Sequence, residues 1–186
     1  MPSAIVMHAP GPPDVLKFEE VNLQQPQSLE VVVRHTAIGV NFHDAYVRSG
    51  LYKTLALPGV PGIEAAGVVE AVGASVSDVR LGDRVAYVSR SYGAYAEKRV
   101  IGQESLVLLP PNVSDEVVAA TLLKGLTVQM LIEQVYRVQK RRLGAGPCRR
   151  GRRWPTSLSV GAAYRRSRDR NSKHTGESPG GIQRWL

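Results

Sequence analysis

Cysteine is almost absent from this 186-residue chain: Cys148 stands alone. A lone thiol excludes an intramolecular disulfide and offers far too few soft ligands for a structural zinc site, which fits a reducing compartment. Long apolar runs are missing too. No stretch approaches the roughly 20 apolar residues needed to span a bilayer. The opening "MPSAIVMHAPGPPDV" has no basic region followed by an apolar core, so a cytoplasmic location is expected. Acidic residues are scarce in one region only. Residues 141–186 hold 2 Asp+Glu against 12 Lys+Arg, whereas residues 1–140 hold 14 against 12. The formal charge of +8 therefore belongs to the tail, and the rest of the chain has the balance of an ordinary globular domain.

Up to about residue 110 the chain reads as short strands separated by turn residues. Its β-branched runs are "EVVVRHTAIGV" (30–40), "AAGVVEAVG" (65–73), "DRVAYV" (83–88) and "YAEKRVI" (95–101). This order predicts an antiparallel β domain. Glycines at 39, 50, 59, 62, 67, 73, 82 and 93 suit the sharp corners of a rolled sheet, where a positive φ is reached without a Cβ clash. "GVNFHDAYVRSG" interrupts the strands with a helix of one to two turns starting near Asn41, a favourable N-cap residue. After "LLPPNV" the period becomes helical. Ser114 is the candidate N-cap, Asp115 and Glu116 fill the first turn, and Val117, Val118, Leu122 and Leu123 form an apolar face. Gly125 predicts a break, followed by a second helix over 126–136.

Taken in order, "GVNFHDAYVRSGLYKTLALPGVPGIEAAGVVEAVG", "GDRVAY", "GAYAEKRV" and "AATLLKGLTVQ" resemble the medium-chain dehydrogenase/reductase superfamily, and within it the zinc-independent NADPH:quinone oxidoreductases. The resemblance spans about residues 2–140. It implies a mainly β fold: a GroES-like substrate-binding β-barrel over 1–110, C-terminal helices over 111–140 connecting to a cofactor domain, and a Rossmann domain that holds NADPH. The implied reaction is metal-free hydride transfer to a quinone or enone, with the cofactor carrying the chemistry and the protein supplying position and polarity. Zinc-dependent relatives carry a Cys within the segment that is "VNFHD" here, and a His-Glu pair after the glycine that is Gly62 here. This chain has Phe42 and Ile63 at those places. His43 and Asp44 remain as conceivable ligands, the alternative being that His43 lies on the helix surface.

The same resemblance puts Asn41, Tyr46, Arg48 and Tyr52 at the nicotinamide end of a cleft, and Lys124 and Thr127 beside the nucleotide. Tyr52 is the candidate for orienting the quinone or delivering a proton. Each has a plain alternative: Asn41 caps its helix, Arg48 is a solvated charge, and the tyrosines only pack. Glu64 and Asp83 are read as buried partners within the barrel, not as catalytic groups.

The family's first Rossmann strand and glycine-rich phosphate loop are expected after "VYRVQK", where this chain has "RRLGAGPCRRGRRWPTSLSV". "GAG" has no apolar strand before it and carries little weight as a phosphate cradle. Deleting the first nucleotide of codon 141 and reading onward admits "GDWVLVHAAAGGVGQ", the missing strand and loop. Residues 141–186 are therefore expected to be an out-of-frame, largely disordered tail in place of the Rossmann domain, with NADPH binding impaired. Two other readings stand beside this one. The tail could be a salt-dependent nucleic-acid binder, although only Trp154, Tyr164 and Trp185 interleave its charges, or the barrel alone could be an interaction module.

Overall fold

The computed structural model describes residues 1–135. The basic tail and the expectations attached to it, of disorder, a shifted frame and nucleic-acid contact, lie outside the described residues. Met1–Val128 form one compact unit.

This unit is mainly β. Strands β1 (Ser3–Met7) and β2 (Leu16–Glu20) form a two-stranded antiparallel sheet. The larger sheet has the order β6-β3-β4-β5-β7, built from β3 (Glu30–Gly39), β4 (Glu64–Val72), β5 (Arg84–Val88), β6 (Lys98–Gly102) and β7 (Val107–Leu108), all antiparallel. β3 is the hinge of the architecture. Its register against β4 shifts between Val32 and Val33 and again between His35 and Ala37, and such bulges bend and twist a strand. Beyond Arg34 it leaves β6, and the His35 N–H bonds to the Glu97 carbonyl at 2.8 Å. The segment 94–97 also pairs with β1: Ile5 donates to the Tyr95 carbonyl at 2.7 Å and Glu97 to that of Ser3 at 2.8 Å. Shared backbone thus rolls the two sheets into one barrel.

Alternation sets the two faces. Val31, Val33, Ala65, Val69, Val85 and Tyr87 fill the interior. The opposite face offers Ala66 and Ala86 with Ala37 beside them, and small residues there let a helix lie close. Helix α2 (Asp115–Met130) fills this place with Val118 and Ala119. Gly39 makes the approach possible, since a Cβ there would stand 2.4 Å from the Ala119 carbonyl oxygen. Polar clamps fix the start of the helix. Arg84 donates to Asp115 and, at 2.7 Å, to the Val113 carbonyl, while Thr36 Oγ1 donates to Asp115 Oδ2 at 2.5 Å. Burial opposes ionisation of Asp115, but these hydrogen bonds outweigh it and hold its carboxyl below the usual range.

Three expectations are corrected by the fold. Gly125 does not break the helix, which runs on to Met130 before a π turn at Leu131–Val135. Glycine lowers helix stability by only about 1 kcal/mol and keeps its N–H, so flanking turns carry the helix through it. Val117 faces solvent, because the clamps at Asp115 rotate Val118, Ala119 and Leu122 toward the sheet instead. The outer face of the barrel also supplies the packing surface for the start of the helix. Of the eight corner glycines, Gly50, Gly62, Gly82 and Gly93 adopt positive φ. Among the others, Gly39 serves close approach instead.

Candidate active site

Helix α1 (Phe42–Ser49) organises the site. Asn41 occupies the N-cap in extended conformation, and its backbone N–H donates to Asp44 Oδ2 at 2.9 Å, so the acid at the third helical position ties down the entry. Gly50, at φ 83°, ends the helix in the left-handed region that a side chain would disfavour. Asp44 and Val47, three residues apart, point inward, while Phe42 and Tyr46, four apart, point outward. Asp44 Oδ2 also accepts from the Tyr95 hydroxyl at 3.0 Å. Burial, with the Asp44 charge beside it, pushes the Tyr95 hydroxyl well above its ordinary pKa.

The Asn41 side chain does more than the cap alternative requires. Its Nδ2 donates to Glu64 Oε2 at 2.8 Å, and its Oδ1 accepts from Lys124 Nζ at 3.1 Å. Glu64, at the start of β4, is completely buried, and its second oxygen accepts the Leu123 backbone N–H of α2 at 2.7 Å. A polar chain therefore runs from the barrel through α1 to an exposed ammonium on α2. Thr127 lies one turn beyond Lys124 and donates back to the Leu123 carbonyl at 3.0 Å.

A second group of side chains shares α1. Tyr46 and Tyr52 meet edge to face with centroids 5.3 Å apart, and the Tyr52 N–H bonds to the Tyr46 carbonyl at 3.1 Å. His43 lies 5.6 Å from the Tyr52 ring and stacks on Tyr92 at 6.0 Å with an interplanar angle of 10°. Its Nε2 is 2.9 Å from the Tyr92 hydroxyl, which is in turn 2.5 Å from Thr54 Oγ1. His43 is half-buried among aromatic rings, not on an open helix surface. Both tyrosines of the first pair remain exposed, 40% for Tyr46 and 44% for Tyr52, so they present ring area beside the polar chain.

Of the residues singled out from sequence, the fold joins Asn41 to Lys124 and Tyr46 to Tyr52. Thr127 shares the helix of Lys124. Arg48 goes elsewhere: its guanidinium donates to the Gly11 carbonyl, and the Gly11 N–H returns a bond to the Arg48 carbonyl at 2.8 Å. Glu64 is a buried partner as read, whereas Asp83 sits half-buried in a turn and accepts the Arg80 N–H at 2.7 Å. Tyr92, the aromatic setting of His43 and the bridging role of Glu64 escaped the sequence reading. The apolar setting of "GIEAAGVV" was the one signal that Glu64 must find donors. Among the described residues no group of three or more His, Cys, Asp or Glu side chains converges.

Residues 27–111 match the alcohol dehydrogenase GroES-like domain. The quinone oxidoreductase of Pseudomonas aeruginosa is 46% identical over 139 residues, which is 75% of this chain and 43% of that protein. Quinone oxidoreductase 1 of Escherichia coli is 41% identical over 139 residues, 75% of this chain and 42% of its own length. Among solved structures, a quinone oxidoreductase of Pseudomonas syringae pv. Tomato superposes with a TM-score of 0.72 at 47% identity, covering 75% of this chain and 43% of that one. An Escherichia coli quinone oxidoreductase solved with NADPH gives 0.71 at 41% identity, covering 74% and 42%. The chain thus spans under half the length of these relatives. Over about three quarters of its own length it belongs, with its GroES-like barrel, to the quinone oxidoreductases of the medium-chain dehydrogenase/reductase superfamily.

Proposed function

We propose that this barrel is the substrate-side half of an NADPH-dependent reductase of quinones or enones, working by hydride transfer without a metal. The observation that carries the reading is the Asn41–Lys124 contact at 3.1 Å next to the exposed Tyr46–Tyr52 pair: a polar, cationic end and a flat apolar end on adjoining surface. Those residues fit one end of such a cofactor. The Lys124 ammonium and the free lone pair of Asn41 Oδ1 suit a polar carboxamide or an anionic group, and the tyrosine rings suit a planar substrate. When bound, NADPH supplies the hydride.

The chain's own part is positional. Tyr46 and Tyr52, linked through backbone and ring contact, form one wall on which a quinone ring lies, and the Tyr52 hydroxyl orients a carbonyl and delivers a proton to it. Placing two reactants against one wall in a fixed geometry is where most of the rate gain of such a transfer arises. The metal-free character is supported by the engagements of the two conceivable ligands. His43 Nε2 is tied to Tyr92, and Asp44 Oδ2 accepts from Asn41 N–H and Tyr95 O–H while its Oδ1 is buried without a partner.

The test is genetic and enzymatic. Under the frame proposal the coding DNA reads CGA at Arg142, CTG at Leu143, GGT at Gly144 and Gly146, and CCA at Pro147. Synonymous codons that destroy the alternative reading would overturn it. A gene with the frame restored at codon 141 should encode a protein that oxidises NADPH in the presence of a quinone, while the 186-residue chain shows only weak, non-saturating binding in an NADPH fluorescence titration. A frame-restored protein that binds NADPH tightly yet reduces no quinone or enone would defeat the functional reading.

A further inference from the structure

We infer that Glu64 is a positioning residue that fixes which way the Asn41 amide faces, and through it holds Lys124 at the cofactor end of the site. The argument is one of donors and acceptors. Both Glu64 oxygens act as acceptors, one from the Leu123 N–H and one from Asn41, so the edge of the Asn41 amide that meets Glu64 is its NH₂ edge. The opposite edge is then the carbonyl, which is what an ammonium requires, and Lys124 Nζ sits there at 3.1 Å. An uncommitted asparagine can rotate by 180° about its last torsion and offer either edge. Here rotation would set Nδ2 against Lys124 and Oδ1 against Glu64, two mismatches at once. Full burial makes the choice strict, because no water competes for the Glu64 oxygens. The other Glu64 oxygen holds the Leu123 N–H, the residue next to Lys124, so one carboxylate fixes both the helix that carries the cation and the amide that receives it.

The inference rests on the reading of Lys124 as a cofactor contact only for its consequence in catalysis, and its test needs no cofactor. The full 186-residue chain is acetylated with limiting acetic anhydride, and the rate at Lys124 is compared by mass spectrometry with those at the exposed Lys17 and Lys53. In Glu64→Gln the introduced amide offers an NH₂ to Asn41, the Asn41 amide turns over, and Lys124 is released, so its labelling rises about threefold relative to the reference lysines. Asn41→Asp alone sets two carboxylates face to face and lowers the thermal midpoint. The double variant N41D/E64Q restores every N–H···O contact, with the polarity reversed only between positions 41 and 64, regains the midpoint lost in N41D, and brings Lys124 labelling back to the original rate or below it.

Unchanged labelling at Lys124 in a folded Glu64→Gln protein would overturn the inference, as would a double variant no better than Asn41→Asp in fold or in labelling. A merely structural Glu64 predicts additive damage in the double variant, so rescue separates the two roles. A failed cofactor titration with intact rescue would sink the proposed function alone.

Discussion

Two polar chains run through this barrel, and they end differently. One lies among β3, β5 and β6. His35 Nδ1 is 2.6 Å from the Ala96 carbonyl and its Nε2 is 2.8 Å from the Tyr87 hydroxyl. Arg99 lies 5.1 Å over the Tyr87 ring and donates to the Ser91 carbonyl at 3.0 Å. It closes on the Ala96 carbonyl at one side and on the carbonyl and hydroxyl of Ser91 at the other, with Arg99 Nη1 buried and unpartnered. The other chain starts at the completely buried Glu64 and ends on the exposed Lys124 ammonium. Apart from Arg99 Nη1, buried polar groups are paired in both chains. The difference is that the cation of the first chain, Arg99, is buried where a ligand cannot reach it, while the second terminates on a solvated cation. The first should therefore carry stability and the second binding, and substitution can separate them.

The largest effect is expected inside the closed chain. Tyr87 is completely buried in the barrel interior, so Tyr87→Ala should cost about 3–5 kcal/mol in urea unfolding, through lost apolar contact and the cavity left behind. Tyr87→Phe keeps the ring under Arg99 but strips the donor from His35 Nε2, and about 1–2 kcal/mol should be lost. Were Tyr87→Phe neutral, the hydroxyl would be a passenger and the closed chain no stabilising device.

A smaller, pH-dependent effect follows from the same histidine. The Ala96 carbonyl can only accept, so Nδ1 carries the proton and Nε2 accepts from Tyr87: the imidazole is neutral. Burial, with the Arg99 charge adding to it, holds the pKa of His35 below its ordinary value of about 6.5, and burial pushes the Tyr87 hydroxyl up. The unfolded chain therefore takes up a proton at His35 before the folded one does. Its contribution to stability is complete above about pH 6.5 and is lost as pH falls through the lower folded value. The carboxylates held low, Glu70 by Lys98 first and Asp115 by Thr36 and Arg84, give the same sign only in a more acidic range. Thermal midpoints between pH 7.5 and 5 should fall in the parent and fall less steeply in His35→Gln. Equal slopes would mean the closed chain does not exclude a proton.

How far the sequence reveals this contrast depends on range. The β-branched runs revealed β3 to β6 because alternation is local, and Asn41 revealed α1 because a cap sits beside the helix it starts. β2, "LKFEE", and the two-residue β7 lack such a pattern and are held by pairing with distant partners. The path of α2 depended on Asp115 meeting Thr36 and Arg84, 79 and 31 residues away, which no periodicity encodes. For the same reason the sequence supplied Asn41 and Lys124 as separate candidates but not Glu64 between them. Glu64 is a lone acid in an apolar strand until the fold brings it two donors, from 23 and 59 residues away.

The smallest effect on stability is expected at the open end, and there it is most informative. Lys124 is exposed and meets the rest of the molecule through Asn41 Oδ1. Lys124→Met keeps an unbranched side chain and a good helix former, and the released carbonyl turns to water, so unfolding should shift by no more than about 0.5 kcal/mol. In a frame-restored protein the same change removes the one cation this end of the site presents from α2. The Kd for NADPH should then rise about fivefold, the scale of one charge-assisted contact at a partly solvated position. Tyr87→Phe should do the reverse, losing stability while leaving that Kd within about twofold, because Tyr87 is buried inside the barrel. A Lys124→Met protein that unfolds early yet binds NADPH normally would exchange the roles of the two chains, since the exposed end would then be the one that holds the barrel together.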